Sequence, residues 1–133
     1  MINIAPLRGL GEIPPGTNLA DVASQALAAH APLKADDVLV VTQKIVSKAE
    51  NCFVNLAEIT PSARARALAD TVNKDARLVE LVLRESTALV RAAPNILITR
   101  HRLGFVMANA GIDQSNIGTV GEEWVLRLPD DPD

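Results

Sequence analysis

The hydrophobic pattern of the first 50 residues predicts a strand, a helix and a second strand. Ile2 to Leu7 is short, apolar and ends near a proline, which predicts a first strand that runs into the following loop. Apolar side chains then recur every three or four positions after Thr17 and Asn18, either of which can cap a helix that extends to about His30. Val38 to Val41 is an uninterrupted, mostly β-branched run, which is typical of a strand buried on both faces.

Two further helices are predicted in the middle of the chain. One opens at Thr60-Pro61-Ser62, with Thr60 or Ser62 as its cap and Pro61 in the first turn, and extends to about Asn73. Asp75 caps the next, which extends to about Ser86. In that helix an apolar stripe is expected to face the core, and charged residues are expected to face water: Leu78, Val79, Val82 and Leu83 on the stripe, Arg77, Glu80, Arg84 and Glu85 outside.

From residue 87 the pattern changes towards strands, so the chain is predicted to have an α+β (mixed α/β) fold with a largely antiparallel sheet and about three helices. The predicted strands are Phe53 to Leu56, Ala88 to Val90, Ile96 to Thr99, Phe105 to Met107 and Trp124 to Leu128. The acidic, proline-broken tail from Pro129 to Asp133 is predicted to be a loop or a domain edge, without a docked final element.

Length and composition narrow the class of protein. The 133 residues, 48% apolar and 22% charged, are expected to form a single globular domain over residues 1–133. A net charge of −3, with Phe53, Phe105 and Trp124 as the aromatic residues, argues against a nucleic-acid surface. No apolar stretch reaches membrane-span length and no secretory signal is seen, so no membrane association is expected. The lone Cys52, expected to be core filler, fits a cytoplasmic protein.

Polar side chains directly after the run Val38–Val41 are the first candidate binding residues. Lys44 and Lys48 follow with Thr42, Gln43 and Ser47, and ammonium groups, hydroxyls and backbone amides suit phosphate oxygens. No Walker loop pattern is present, and a solvated turn is the alternative.

Three other segments carry candidate chemistry, each with a structural alternative. In residues 109–116 Asp113 offers a hard oxygen that suits Mg²⁺ beside a phosphate, but an Asx turn between strands would use the same residues. The glycines of the loop from Gly9 to Gly16 could let backbone amides contact a nucleotide, or could simply form a turn. His101 between two arginines could bind an acidic group or lie at a solvated strand end.

Three separated blocks in the chain resemble one family in order and wording. They are residues 40–50 (VVTQKIVSKAE), residues 74–80 (KDARLVE) and residues 101–116 (HRLGFVMANAGIDQSN), of which the NAGIDxSN pattern is the most specific. With these blocks, the chain from about Ile4 onward resembles the coenzyme F420-0:L-glutamate ligase family, the gamma-glutamyl ligases.

The resemblance implies a ligase that uses GTP to activate the terminal carboxylate of coenzyme F420-0, as an acyl phosphate, for attack by the amine of L-glutamate. It also implies Mg²⁺ or Mn²⁺, K⁺ and a homodimer. By position, it implies a metal ligand at Asp113 and nucleotide contacts at Leu10, Gly11, Glu12, Ile13, Gln43, Lys44, Lys48 and Asn116.

One departure from the family accompanies this resemblance. Family members are expected to continue past residue 133 with a second half that carries further metal ligands and another part of the nucleotide site. The chain therefore resembles the N-terminal half of such a ligase, as a fragment or a truncated relative. The alternative function is a non-catalytic nucleotide-binding or dimerisation module of that family, and apolar surface is expected to be exposed.

Overall fold

The computed structural model describes residues 1–30, 32–115 and 121–131. These residues divide into two compact units, the N-terminal unit (residues 1–52 with the described residues from 129 onward) and the central unit (residues 53–128). Each unit is described by itself, and the single-domain organisation over residues 1–133 stays a prediction. In the described part of the chain, every helix is too short or too polar to cross a membrane.

The N-terminal unit contains two helices. Helix α1 spans Leu19–Ala28, and the Asn18 side chain caps it by accepting hydrogen bonds from the backbone N–H groups of Ala20 and Asp21, which confirms the first predicted helix. Helix α2 spans Gln43–Ala49, where only a polar strand end was expected. Its last turn carries Lys48, and a cation in that position complements the helix dipole.

Both strands predicted in the N-terminal unit are wrong. Residues 2–7 and 38–41 are not in strands, and Val38 and Val40 are each 83% exposed. A strand forms only against a neighbour that accepts its backbone hydrogen bonds, and the described residues of this unit supply none. High β propensity alone therefore does not make these two runs form strands.

The central unit holds the other helices and all the strands of the described chain. Strand β1 spans Phe53–Asn55, helix α3 Ala63–Val72, helix α4 Ala76–Arg84, β2 Ser86–Ala93, β3 Ile96–His101, β4 Val106–Ala108 and β5 Trp124–Leu126, with short 3₁₀ turns at Leu56–Glu58 and Asn109–Gly111. The side chains of Ser62 and Asp75 cap α3 and α4 as expected, while Pro61 precedes the cap and lies outside the helix. The α+β class is confirmed, with four α-helices in the residues that the structure describes.

All strand pairs in the central unit are antiparallel. Strands β1 and β5 pair in one sheet, and β2, β3 and β4 pair in that order in another. Thr99 lies in the middle of β3, opposite Leu89 of β2 and Met107 of β4. The buried core consists of Leu56, Ala65, Ala69, Val72, Val79, Leu81, Val82, Leu97, Ala110, Ile112 and Val125.

Two further expectations are corrected by burial. Glu80 and Glu85 were expected to face water, but their side chains are 13% and 11% exposed. The tail was expected to be undocked, yet Pro129 is buried and the backbone N–H of Asp130 donates to the Glu50 carboxylate over 2.7 Å. A carboxylate that accepts backbone N–H groups makes a charge-assisted hydrogen bond, which anchors residue 130 to the end of α2.

Candidate functional site

Two of the segments expected to contact a nucleotide meet in the N-terminal unit. The Lys48 ammonium on α2 donates to the Glu12 carboxylate over 3.2 Å, although the two residues are 36 positions apart. The Lys48 side chain is only 10% exposed, whereas that of Glu12 is 81% exposed. A nearly buried ammonium therefore has an acidic partner that can move into water, which suits a cation that exchanges its partner for a phosphate oxygen.

The loop before α1 is shaped by glycines and is tied to α2. Gly9, Gly11 and Gly16 have φ values of +82°, +64° and +81°, which other residue types adopt at a cost. The Gly16 backbone N–H donates to the Ala49 carbonyl over 2.8 Å. Within the four residues expected to bind, Leu10 is half-buried, Gly11 and Glu12 are exposed, and the Ile13 side chain is buried, so Ile13 has only its backbone to offer a ligand.

Helix α2 places the remaining predicted nucleotide contacts one turn apart. Gln43 is exposed and its side-chain amide donates to the hydroxyl of Ser47, which is fully buried. Lys44 is half-buried. Residues at i and i+4 lie on the same side of a helix. Lys44 and Lys48 have this spacing, whereas Gln43 and Lys48 are five positions apart and do not. The structure thus places two ammonium groups on one side of α2.

Asp113, the predicted metal ligand, lies in the central unit beside strand β5. Its backbone exchanges two hydrogen bonds with Leu126, at 3.0 and 2.8 Å. Its carboxylate accepts from the Ser115 backbone N–H at 2.9 Å and from the Ser115 hydroxyl. The Asx-turn alternative therefore describes the local structure correctly, and the turn holds the carboxylate in one orientation. Asn116, the last predicted nucleotide contact, lies outside the described residues.

The residues before Asp113 carry unusual backbone geometry. Asn109, Ala110 and Gly111 all have positive φ, of 51°, 51° and 72°. A Cβ added at Gly111 would lie 2.8 Å from Cγ of Leu128, which accounts for glycine at this position. Within the described residues the side-chain oxygen of Asn109 is buried without a hydrogen-bond partner. Consecutive strained residues are costly and are concentrated at functional sites, so this turn supports a functional role for the block.

A buried acid–base cluster in the central unit was not expected from the sequence. The Glu85 carboxylate contacts Arg102 Nε and Arg127 Nη1 over 3.2 Å each, and Nε2 of His101 over 3.5 Å. His101 was considered as a ligand for an acidic group, and the acid beside it is Glu85 of the same chain. The helical spacing that predicted Glu85 to face water could not reveal this cluster, because its partners lie at or directly after the ends of later strands.

The surroundings of His101 disfavour its charged form. Burial lowers its pKa, with the nearby Arg102 acting in the same direction and Glu85 opposing. Its Nδ1 accepts the Leu103 backbone N–H over 3.1 Å, so the neutral form of the ring carries its proton on Nε2, towards Glu85. The cluster therefore holds the turn after β3 in place and does not favour a cationic imidazole that would bind an external acid.

The fit of a divalent ion can be judged from the donor set. Mg²⁺ and Mn²⁺ prefer oxygen ligands and commonly take one or two carboxylates together with phosphate oxygens and water. Asp113 offers such a carboxylate, already oriented by Ser115. The residue type and its fixed orientation fit a divalent ion.

Comparison with known proteins places these residues in a family. A family model described as "F420-0:Gamma-glutamyl ligase" matches residues 9–133. The coenzyme F420:L-glutamate ligases of Methanopyrus kandleri and Archaeoglobus fulgidus are 41% and 38% identical to the chain, each over 99% of it and 50% of the relative. That of Methanothermobacter thermautotrophicus is 43% identical over 73% of the chain and 37% of the relative. The chain spans about half the length of the curated relatives that it matches.

Proposed function

Because the chain belongs to the F420-0:gamma-glutamyl ligase family, we propose that it forms part of a GTP-dependent ligase that joins L-glutamate to coenzyme F420-0. In this reaction the terminal carboxylate of coenzyme F420-0 attacks the γ-phosphorus of GTP, and GDP leaves. The glutamate amine then attacks the resulting acyl phosphate, an amide bond forms, and inorganic phosphate leaves. The chain supplies charge neutralisation and positioning, which dominate catalysis of phosphoryl transfer.

The observation that carries this proposal is the pairing of Lys48 with Glu12. It joins two of the segments expected to bind the nucleotide, and it holds an ammonium group on α2 with little exposure to water. An ammonium that is already partly desolvated interacts more strongly with phosphate than one in bulk water. We assign Lys48 and Lys44 to the phosphates, and Gln43 and the loop from Leu10 to Ile13 to further nucleotide contacts.

Asp113 is assigned to the divalent ion. Bound Mg²⁺ or Mn²⁺ neutralises phosphate charge during transfer. Ser115 holds the carboxylate of Asp113 in position through its backbone N–H and hydroxyl, so the ligand needs little reorganisation. K⁺ is also part of the proposal, without an assigned residue. The proposal further includes Asn116 as a nucleotide contact, a homodimer and a cytoplasmic location.

The proposal is tested by isothermal titration of GTP into the 133-residue chain with and without Mg²⁺. Lys48→Ala is expected to weaken binding at least tenfold, because the loss of one charge-assisted contact to a phosphate costs about 1.5–3 kcal/mol. The matched control is Lys34→Ala, which removes the same charge from an exposed position of the same unit. It is expected to change the affinity less than twofold.

Two results would contradict these assignments. Equal losses in both variants would show that only overall charge matters, and unchanged GTP affinity in Lys48→Ala would remove Lys48 from the site. GDP release by the same preparation, in the presence of coenzyme F420-0 and L-glutamate together, separates a catalytic chain from a nucleotide-binding module. Binding without GDP release would favour the module.

A further inference from the structure

Two strand-patterned segments of the N-terminal unit have no strand partner among the described residues. No backbone hydrogen bond joins residues 2–7 or 38–41 to any described residue, although neither segment lies in a helix. Their apolar side chains are exposed as well, with Ile2 at 90% and Ile4 at 88%. Unpaired backbone and exposed apolar side chains in the same segments are the features of strands without their sheet.

The segment 38–41 shows what kind of sheet would accept it. Val38 and Val40 are each 83% exposed, while Leu39 and Val41 are each 47% exposed. This exposure alternates with the period of two that an extended strand has, and all four side chains are apolar. Among the described residues neither backbone edge of the segment has a hydrogen-bond partner. A strand of this kind belongs in the interior of a sheet that is covered on both faces.

We propose that residues 38–41 form a strand that pairs with a β-strand from the part of the family ligases that this chain does not span. That part has about as many residues again as the matched region, since 132 matched residues are 50% of the Methanopyrus kandleri ligase. A second copy of this chain, related by a twofold axis, would cover one edge of the segment and leave the other unpaired. The unspanned part has the length to cover both edges and both faces.

The proposal rests on the family assignment and is separate from the GTP-dependent reaction. Strand addition supplies main-chain hydrogen bonds, and the alternating side chains supply specificity. Burial of the exposed apolar area of these four side chains stabilises the pairing further. The same apolar run is an aggregation hazard while it is uncovered.

The test measures amide hydrogen exchange in the 133-residue chain alone and after co-expression with the unspanned part of the Methanopyrus kandleri ligase. Alone, the amides of residues 38–41 are expected to exchange close to the unstructured rate. In the complex their exchange is expected to slow at least a hundredfold. Val40→Asp is expected to abolish the complex, whereas Val90→Asp, which changes a 52% exposed valine of the central unit in the same way, is expected to leave it intact.

Three outcomes would overturn the proposal. One is a complex in which residues 38–41 remain unprotected. Another is protection of these residues in the chain alone that increases with its concentration, which would identify a second copy as the occupant. If the co-expressed part does not fold, exchange is measured in the intact Methanopyrus kandleri ligase. The third outcome that would overturn the proposal is fast exchange in the segment of that ligase equivalent to residues 38–41. Loss of GTP binding in Lys48→Ala has no bearing on these readouts.

Discussion

The two compact units of this chain differ in how they use apolar residues. The central unit buries Leu97 and Val82 to 1% and 0% exposure in a core built by helices and antiparallel strands. In the N-terminal unit α1 has no buried residue, and the valines of residues 38–41 face water. The difference lies in pairing. The central unit contains both partners of each of its strands, whereas the described residues of the N-terminal unit form no strand.

The charged groups follow the same division. In the central unit Glu85 is enclosed by Arg102, Arg127 and His101, and each group has a fixed structural partner. In the N-terminal unit Lys48 has the exposed Glu12 as its partner. A buried network stabilises a fold only when all its members are satisfied, whereas a cation with an exposed partner can exchange it for a ligand. The comparison separates residues that hold the structure from residues that are available for binding.

The largest effect is expected from truncation in the core of the central unit. Leu97→Ala should lower the free energy of unfolding by about 2–5 kcal/mol, because it removes buried methyl groups and leaves a cavity. Urea unfolding followed by Trp124 fluorescence measures this directly, since Trp124 is the single tryptophan and lies in β5 of the same unit. A loss below about 0.5 kcal/mol, which is the size expected for a surface substitution, would show that this core is not closely packed.

The strained turn next to Asp113 should be the next most sensitive place. Gly111→Ala should cost about 2–4 kcal/mol, since it combines a positive φ with a Cβ that overlaps Leu128. Gly104→Ala is the matched control, because Gly104 also has positive φ but open space around the added Cβ. It should cost only about 1–2 kcal/mol from backbone strain. Equal costs in urea unfolding would show that the contact with Leu128 relaxes freely.

A smaller, pH-dependent effect is expected where α4 meets the start of α3. Hydrogen bonds from Ser62 lower the pKa of Glu80 to about 2, and Arg84 adds to this. The ionised carboxylate therefore stabilises the fold above its ordinary pKa of 4.5, and that stabilisation is lost as the pH falls from 4.5 towards 2. Glu80→Gln should cost about 1–2 kcal/mol at pH 7 and reduce the loss of stability below pH 4.5.

The control for Glu80 is Glu58→Gln, which changes an exposed glutamate of the same unit. Its free energy of unfolding should change by less than about 0.5 kcal/mol. Thermal unfolding at pH 7 and at pH 3 gives both comparisons. If Glu80→Gln retained the acid sensitivity of the unchanged chain, the hydrogen bonds from Ser62 would not be its source.

The smallest effect is expected in the exposed run of the N-terminal unit. Val40→Thr should change the free energy of unfolding of the isolated chain by less than about 0.5 kcal/mol, because the side chain is already in water. Its exposed fraction is 83%. Chemical unfolding monitored by circular dichroism measures the change. A cost comparable to that of Leu97→Ala would mean that residues 38–41 are buried in the isolated chain, and the contrast between the units would fail.

Helices and caps were the most predictable part of the fold. Asn18, Ser62 and Asp75 cap α1, α3 and α4, because a cap depends on a few neighbouring residues. Strands were predictable only where the chain also contains their partner, as with β2 and β3. The run from Val38 to Val41 has the same propensity without a described partner. Helix α2 was missed because its polar sequence gave no apolar period.

The candidate site was predictable as residue types and only partly as an arrangement. Lys48 and Asp113 were chosen for their chemistry and their place in recognisable blocks. The ion pair between Lys48 and Glu12 was not predicted. The contact between Asp113 and Ser115 was predicted only as a local Asx turn. An Asx turn spans two residues and is read from the sequence, whereas an ion pair across 36 positions depends on how the loop folds back on α2.

The sequence by itself determined the α+β class, three of the four helices of the described chain, and membership of a ligase family through three ordered blocks. It determined the cap Asp75, and it gave Asn18 and Ser62 each as one of two candidate caps. These properties depend on local hydrogen bonding, on the spacing of apolar side chains and on residue identity, all of which can be inferred from the sequence. Only the tertiary structure decided that Glu85 is buried among basic groups, that Lys48 pairs with Glu12, and that residues 38–41 stay uncovered. Each of these depends on which distant residue arrives beside the group, since burial and pairing are properties of the assembled neighbours.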